Sequence, residues 1–209
     1  MSYKPSDVVT SEEDVRAILP DQYEAQTGKI ITFIDDLCRT WIERSPFIVM
    51  STVGQNGKVD TSPKGDPAGF VKVIDPQTLA IPDRPGNNRF DSFRNIIDTG
   101  RIGLVFLVPN RNEVVRVSGS ACVVRDAELR QQMAINGRVP EFAIVVKVEE
   151  AFFHCGKAAL RSKLWSPEKA EATDGLATYG EALKLHAALD MDIDELDRRL
   201  IIDEKATVS

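Results

Sequence analysis

Four short stretches hold the residues with which this chain could do chemistry. Ser62-Pro63-Lys64-Gly65-Asp66 sets a lysine between a proline and a glycine. Gly65 would let backbone approach a flat ligand, and the proline removes a donor and stiffens the path. A plain turn with a solvated lysine is the competing reading. IPDRPGNNR (81–89) places Arg84 and Arg89 on either side of an asparagine pair. Asn87 or Asn88 is the expected N-cap of a helix over 89–98, closed by Gly100. The free amides of that end and the helix dipole favour an anion outside it. Arg89 in the first turn opposes the dipole unless such an anion is bound; otherwise the arginines would pair with Asp83 and Asp91. Arg116, between Val115 and Val117, points to the opposite face of its strand from both, either to solvent or to a cleft. In HCGKAALRSKLW (154–165), Lys157, Arg161 and Trp165 recur at four-residue steps, a basic helical face ending in an indole. Such a face suits an aromatic ligand, a phosphate or an acidic neighbouring subunit.

Other chemistries are poorly supplied. Cys38, Cys122 and Cys155 show no CxxC or metal-ligand spacing, and with two histidines in the chain a zinc or iron site lacks ligands. All three cysteines lie in or beside apolar stretches and read as buried thiols. His154 reads as a partly buried structural histidine. No Ser-His-Asp or Cys-His spacing stands out. A net charge of −6 and a pI near 5.1 argue against nucleic-acid binding. No run reaches the roughly 20 apolar residues of a membrane span, and the first residues lack a signal-peptide pattern. A cytoplasmic protein is expected.

The elements that must position these residues can be read from periodicity. Thr10 to Leu19 has capping-box spacing, Thr10 with Glu13. Apolar residues from Ile30 to Ile42 recur at helical steps, predicting one amphipathic helix over 28–44 that ends before Pro46. Strands are predicted at 47–53, 59–66, 69–75, 79–81, 102–108, 114–126 and 142–155, with an Asn56-Gly57 hairpin between the first two. Helices are predicted at 126–135, 157–165, 181–189 and 193–201. The fold class is α+β, mainly antiparallel: a six- to seven-stranded split β-barrel with flanking helices. N-terminal helices (1–45) should pack on a barrel (46–165), and an acidic helical appendage (166–209) should pack on it or reach a partner.

The order of strand, NG hairpin, SPKGD, IPDRPGNNR helix, VVRVSG and HCGKAALRSKLW resembles the pyridoxamine 5'-phosphate oxidase-like, FMN-binding split-barrel proteins, across roughly 28–165. That resemblance implies a homodimer with FMN in the cleft between subunits. It further implies that Ser62, Pro63, Lys64, Gly65 and Asp66 line the flavin ring, with Lys64 near its pyrimidine edge. Pro82, Asp83, Arg84, Asn87, Asn88 and Arg89 would hold the phosphate. Arg116 would be offered by the partner subunit, and Arg161 and Trp165 would stand in for the family's C-terminal Trp and Arg. Where the family carries an Arg-Lys pair for the phosphate, this chain has Asn87-Asn88 followed by Arg89. The implied function is FMN-dependent oxidoreduction of a small molecule by a flavin that does the redox chemistry itself. The alternative is a module binding flavin, deazaflavin or haem as carrier, sensor or reductase partner. Pyridoxamine phosphate oxidation proper is disfavoured, since the substrate motif is missing.

Overall fold

The structure is a computed structural model and describes residues 2–21, 24–169 and 172–208. One seven-stranded sheet organises it: β1 (Phe47–Val53), β2 (Val59–Gly65), β3 (Lys72–Asp75), β4 (Thr78–Pro82), β5 (Arg101–Leu107), β6 (Val114–Val124) and β7 (Ala143–His154). Strand order is β2-β1-β5-β6-β7-β4-β3 and every pairing is antiparallel. The ladder does not close: β2 and β3 are free edges, and the sheet is the split barrel expected. Alternation along β1 and β5 buries Ile48, Met50, Leu104 and Phe106 on one face and leaves the other more open. The hairpin forms where Asn-Gly predicts it, with Gly57 at φ 76°.

Two helices complete the core. α3 (Asp36–Arg44) is capped by the Asp35 side chain and buries Cys38 and Ile42 against β3, β6 and β7. α4 (Asp91–Thr99) buries Ser92 and Ile96 and packs on β1, β2, β5 and β6. The predicted helix over 28–44 therefore starts late. Residues around Ile31 are extended, and Ile31 exchanges backbone hydrogen bonds of 3.0 and 2.7 Å with Ala151 on β7. Their apolar spacing suits either conformation; pairing to a strand decided it. The short α1 (Glu12–Arg16) is capped by Ser11, one residue after the expected Thr10, and neither it nor α2 (Glu24–Gly28) buries a residue. Past β6, α5 (Ala127–Gln132) precedes β7. After β7 come α6 (Lys157–Ser162), α7 (Tyr179–His186) and α8 (Ile193–Val208). No described helix is long and apolar enough to cross a membrane.

β6 and β7 shift register at Ser118/Gly119, a bulge of the kind that a glycine inside a strand permits. A Cβ at Gly119 would run into the Lys147 carbonyl oxygen, whereas one at Gly103 would meet nothing within 4 Å. Gly119→Ala should cost several kcal/mol in chemical denaturation, of the order of severe overpacking. Gly103→Ala should change the midpoint little.

Candidate functional site

Register decides which predicted residues can meet. In antiparallel pairs the facing residues share a side of the sheet. Lys64 faces Ile48, which faces Phe106, which faces Val115. Lys64 therefore points to the core side, and so do Ser62 and Asp60, opposite Met50 and Thr52. Pro63 faces Val49, Val49 faces Val105, and Val105 faces Arg116. Pro63, Gly65 and Arg116 thus lie on the outer side. The site residues are divided between two faces of one sheet.

On the core side, half-buried polar side chains line the free edge β2. At one end Asp60 accepts a 2.6 Å hydrogen bond from the Ser92 hydroxyl of α4. At the other end, Asp66 follows β2 and meets Arg84, which follows β4, at 2.5 Å. Arg84 also donates to the Met133 carbonyl at 2.8 Å. Asp83 sits beside this pair: burial pushes its carboxyl above the ordinary range, while the nearby Lys64 and Arg84 charges and the Arg84 amide pull the other way. Pro82 is buried as the last residue of β4, facing Ala143 of β7. A half-buried carboxyl within the electrostatic reach of Lys64 is an arrangement that no motif in the sequence announces.

The start of α4 differs from the expectation. Neither asparagine caps it: the N-cap position is Phe90, in the left-handed region at φ 58° and without any side-chain cap bond. Asn87 instead accepts from the Arg89 amide at 3.1 Å, and Asn88 is also left-handed, at φ 55°. Two such residues in three cost strain that asparagine tolerates and phenylalanine does not. The first amides of α4 are thus left without a side-chain acceptor. Arg89 lies beside them, exposed, and bonds Asp91 at 2.7 Å, which holds the Asp91 carboxyl below its usual range. The pairing of Arg89 is the competing reading from sequence; the pairing of Arg84 is different, to Asp66 and not to Asp83. Lys58 and Arg94 also border this helix, with Asp91, Asn95 and Asp98, around a depression of about 310 Å³ under the hairpin. Asp60 and Ser92 were missed because only the packing of α4 on β2 brings them together, and Lys58 because only the fold sets it in this depression.

The remaining candidates lie elsewhere. Arg116 is exposed, its guanidinium 5.0 Å from the centre of the Phe152 ring. α6 ends at Ser162, so Trp165 is not on its face; the indole donates to the Arg111 carbonyl at 2.7 Å, and Arg161 is exposed. Lys163, left-handed at φ 53°, ends the helix. Within one chain, Arg116, Arg161 and Trp165 do not reach the core side of β2. His154 is exposed and not partly buried, and Cys122 and Cys155 are exposed as well. Cys122 shows how alternation overrules composition: Ala121 and Val123 beside it pack against the core, and its own side chain faces the other way. Cys38 alone is buried, and burial pushes its thiol up to about 12.

Two outcomes follow. Because the folded value of Asp83 lies above its unfolded one, the folded chain keeps that proton as pH rises past the ordinary carboxylate range. The contribution of this group is most favourable below that range and declines as pH rises through the folded value. Asp83→Asn should flatten that decline in urea midpoints measured from pH 4 to 7. A thiol reagent should titrate Cys122 and Cys155 in the native chain, and Cys38 only after denaturation.

No curated protein matches the chain. Among solved structures, HupZ of Group A Streptococcus is 19% identical, over 57% of this chain and 93% of its own, with a TM-score of 0.47. An FMN-binding protein of Syntrophomonas wolfei is 14% identical, over 56% and 83%, at 0.43. General Stress Protein 26 of Bacillus anthracis is 15% identical, over 55% and 88%, at 0.42. The family model described as pyridoxamine 5'-phosphate oxidase matches residues 34–155, more than half of the chain and the whole of the sheet with α3 and α4. The chain belongs to the pyridoxamine 5'-phosphate oxidase family.

Proposed function

We propose that this protein is an FMN-dependent oxidoreductase acting on a small molecule, with the flavin held along the β2 edge at a homodimer interface. The observation that carries the reading is that three anion- and ring-binding features lie along one side of β2 and the helix packed on it. These are the amides of α4 left without a side-chain cap, the exposed Arg89 beside them, and Lys64 on the core side of a free edge strand. Helix amides with an arginine fork suit a phosphate close to dianionic at neutral pH. Asn87 and Asn88 hold the loop conformation that leaves those amides open, and Arg89 would exchange Asp91 for the phosphate.

The edge of β2 supplies the other half of the fit. Backbone groups of Ser62 to Gly65 that do not pair with β1 are available to the polar rim of a flat ring, and Pro63 is tolerated because it sits on an edge. Lys64 provides positive charge on that rim, within electrostatic reach of Asp83. Pro82, Arg84 and Asp66 would fix the floor of the flavin cleft. Bound FMN would supply the electron transfer chemistry, leaving the chain to bind, orient and exclude water. Arg116, on the outer face, would serve the cleft of a second protomer, and Arg161 and Trp165 could reach a cofactor only in the same way.

The test is FMN titration of the purified chain, followed by flavin absorbance, fluorescence quenching and thermal stability. Quenching and a raised Tm are expected, with reduction by a nicotinamide donor separating an enzyme from a carrier. Arg89→Ala should weaken FMN about tenfold or more, as loss of a charge-assisted contact does. Its Tm without flavin should hold, because the Arg89–Asp91 pair is solvent-exposed. A chain that neither quenches FMN nor gains stability from it would sink the proposal; affinity for deazaflavin or haem instead would redirect it.

A further inference from the structure

Residues 166–209 contain eleven acidic and five basic side chains, net −6, which is the whole net charge of the chain. Residues 1–165 are therefore balanced. Within this tail, α7 and α8 fold back on one another. Asp197 of α8 accepts from the Gly180 amide and the Thr178 hydroxyl, each at 2.8 Å, and a side chain at 180 would collide with it. Thr178 and Glu181 form a capping box. Against that well-made junction stands a very small core. Leu196 is buried, while Leu176, Tyr179, Leu185, Ile201 and Ile202 are between 49% and 77% exposed. Two helices of 8 and 16 residues with so little buried apolar surface are below what sustains a helix pair in water. The hairpin needs a cover.

The same chain carries a surface of matching chemistry. On and just after α6, Leu160 and Leu164 are 62% and 54% exposed, flanked by exposed Lys157, Arg161 and Lys163 that form no ion pair among the described residues. On the tail, Asp174, Asp190 and Asp194 are likewise without an ion pair. Apolar leucines rimmed by cations thus face a demand for an apolar cover rimmed by anions. Within one chain α6 and the hairpin do not pack together.

We propose that the α7–α8 hairpin of one chain docks on α6 of a second copy, an exchanged acidic arm that joins the two protomers. The proposal rests on the homodimer reading above and adds to it a contact outside the flavin cleft. Charge complementarity selects the occupant: the acidic excess of the tail and the unpaired cations of α6 belong to one sequence. Steering by such charges weakens with salt.

Carbodiimide coupling tests it on the unmodified full-length protein. Nitrogen-14 and nitrogen-15 preparations are mixed, unfolded, refolded together and coupled, and linked peptides are read by mass spectrometry. Expected are peptides of mixed isotope joining Lys157 or Lys163 to carboxylates of the 172–206 segment, disappearing at high salt. They should also vanish in Lys157→Glu/Arg161→Glu/Lys163→Glu. If that variant does not fold, Asp174→Lys/Asp190→Lys/Asp194→Lys, at exposed tail positions, should abolish them equally. Links of a single isotope only would show the arm folding on its own chain and overturn the proposal. Light scattering separates the two readings: a dimer without these links overturns the docking alone, and a monomer without them overturns the dimer as well.

Discussion

The split in the barrel depends on one guanidinium. A seven-stranded sheet that does not close has its first two strands and its fourth at opposite ends of the ladder. Arg84 spans that gap, bonding Asp66 beyond β2 and the Met133 carbonyl before β7. No strand pairing exists between β2 and β4, so side-chain chemistry does there what a backbone ladder does elsewhere. With both partners mostly shielded from water, the bond is worth more than a surface pair, and removing either partner would strand the other.

That arrangement also explains the division of labour among the cations. Arg84 is spent on architecture. Arg89 is tethered only by an exposed pair with Asp91 and can be reassigned. Lys64 lies within electrostatic reach of a carboxyl that burial makes reluctant to ionise. The three are close in sequence or in space, yet their surroundings give them different tasks, and the packing of α4 over β2 sets those surroundings.

Much of this was legible beforehand and some was not. Strand positions, the NG hairpin and the bulge glycine follow from local rules, and all seven strands form near their predicted ranges. The N-cap did not, because Asn87 and Asn88 have two ways to use a side-chain carbonyl, and the loop spends Asn87 on the Arg89 amide. The stretch from Ile30 to Ile34 misled for another reason: four apolar residues in five satisfy helix and strand alike, and the Ile31–Ala151 bridge is information held 120 residues away. Faces were the hardest part. SPKGD names a site as a run of neighbours, but neighbours on a strand point apart, and only the register with β1 says which of them face the core side.

The alternation along β2 has a consequence of its own. One seven-residue ribbon writes to two surfaces, with Ser62 and Lys64 addressed to the core side and Pro63 and Gly65 to the outer wall. Side chains of even number can be exchanged to suit a ligand without touching what the odd ones meet, so binding and assembly are separately adjustable on the same strand. A single-residue insertion after the hairpin would transpose the two alphabets at once, sending Lys64 outward and a neighbour into its place. The tight Asn56-Gly57 turn, which admits no spare residue, is therefore the reading frame of the site.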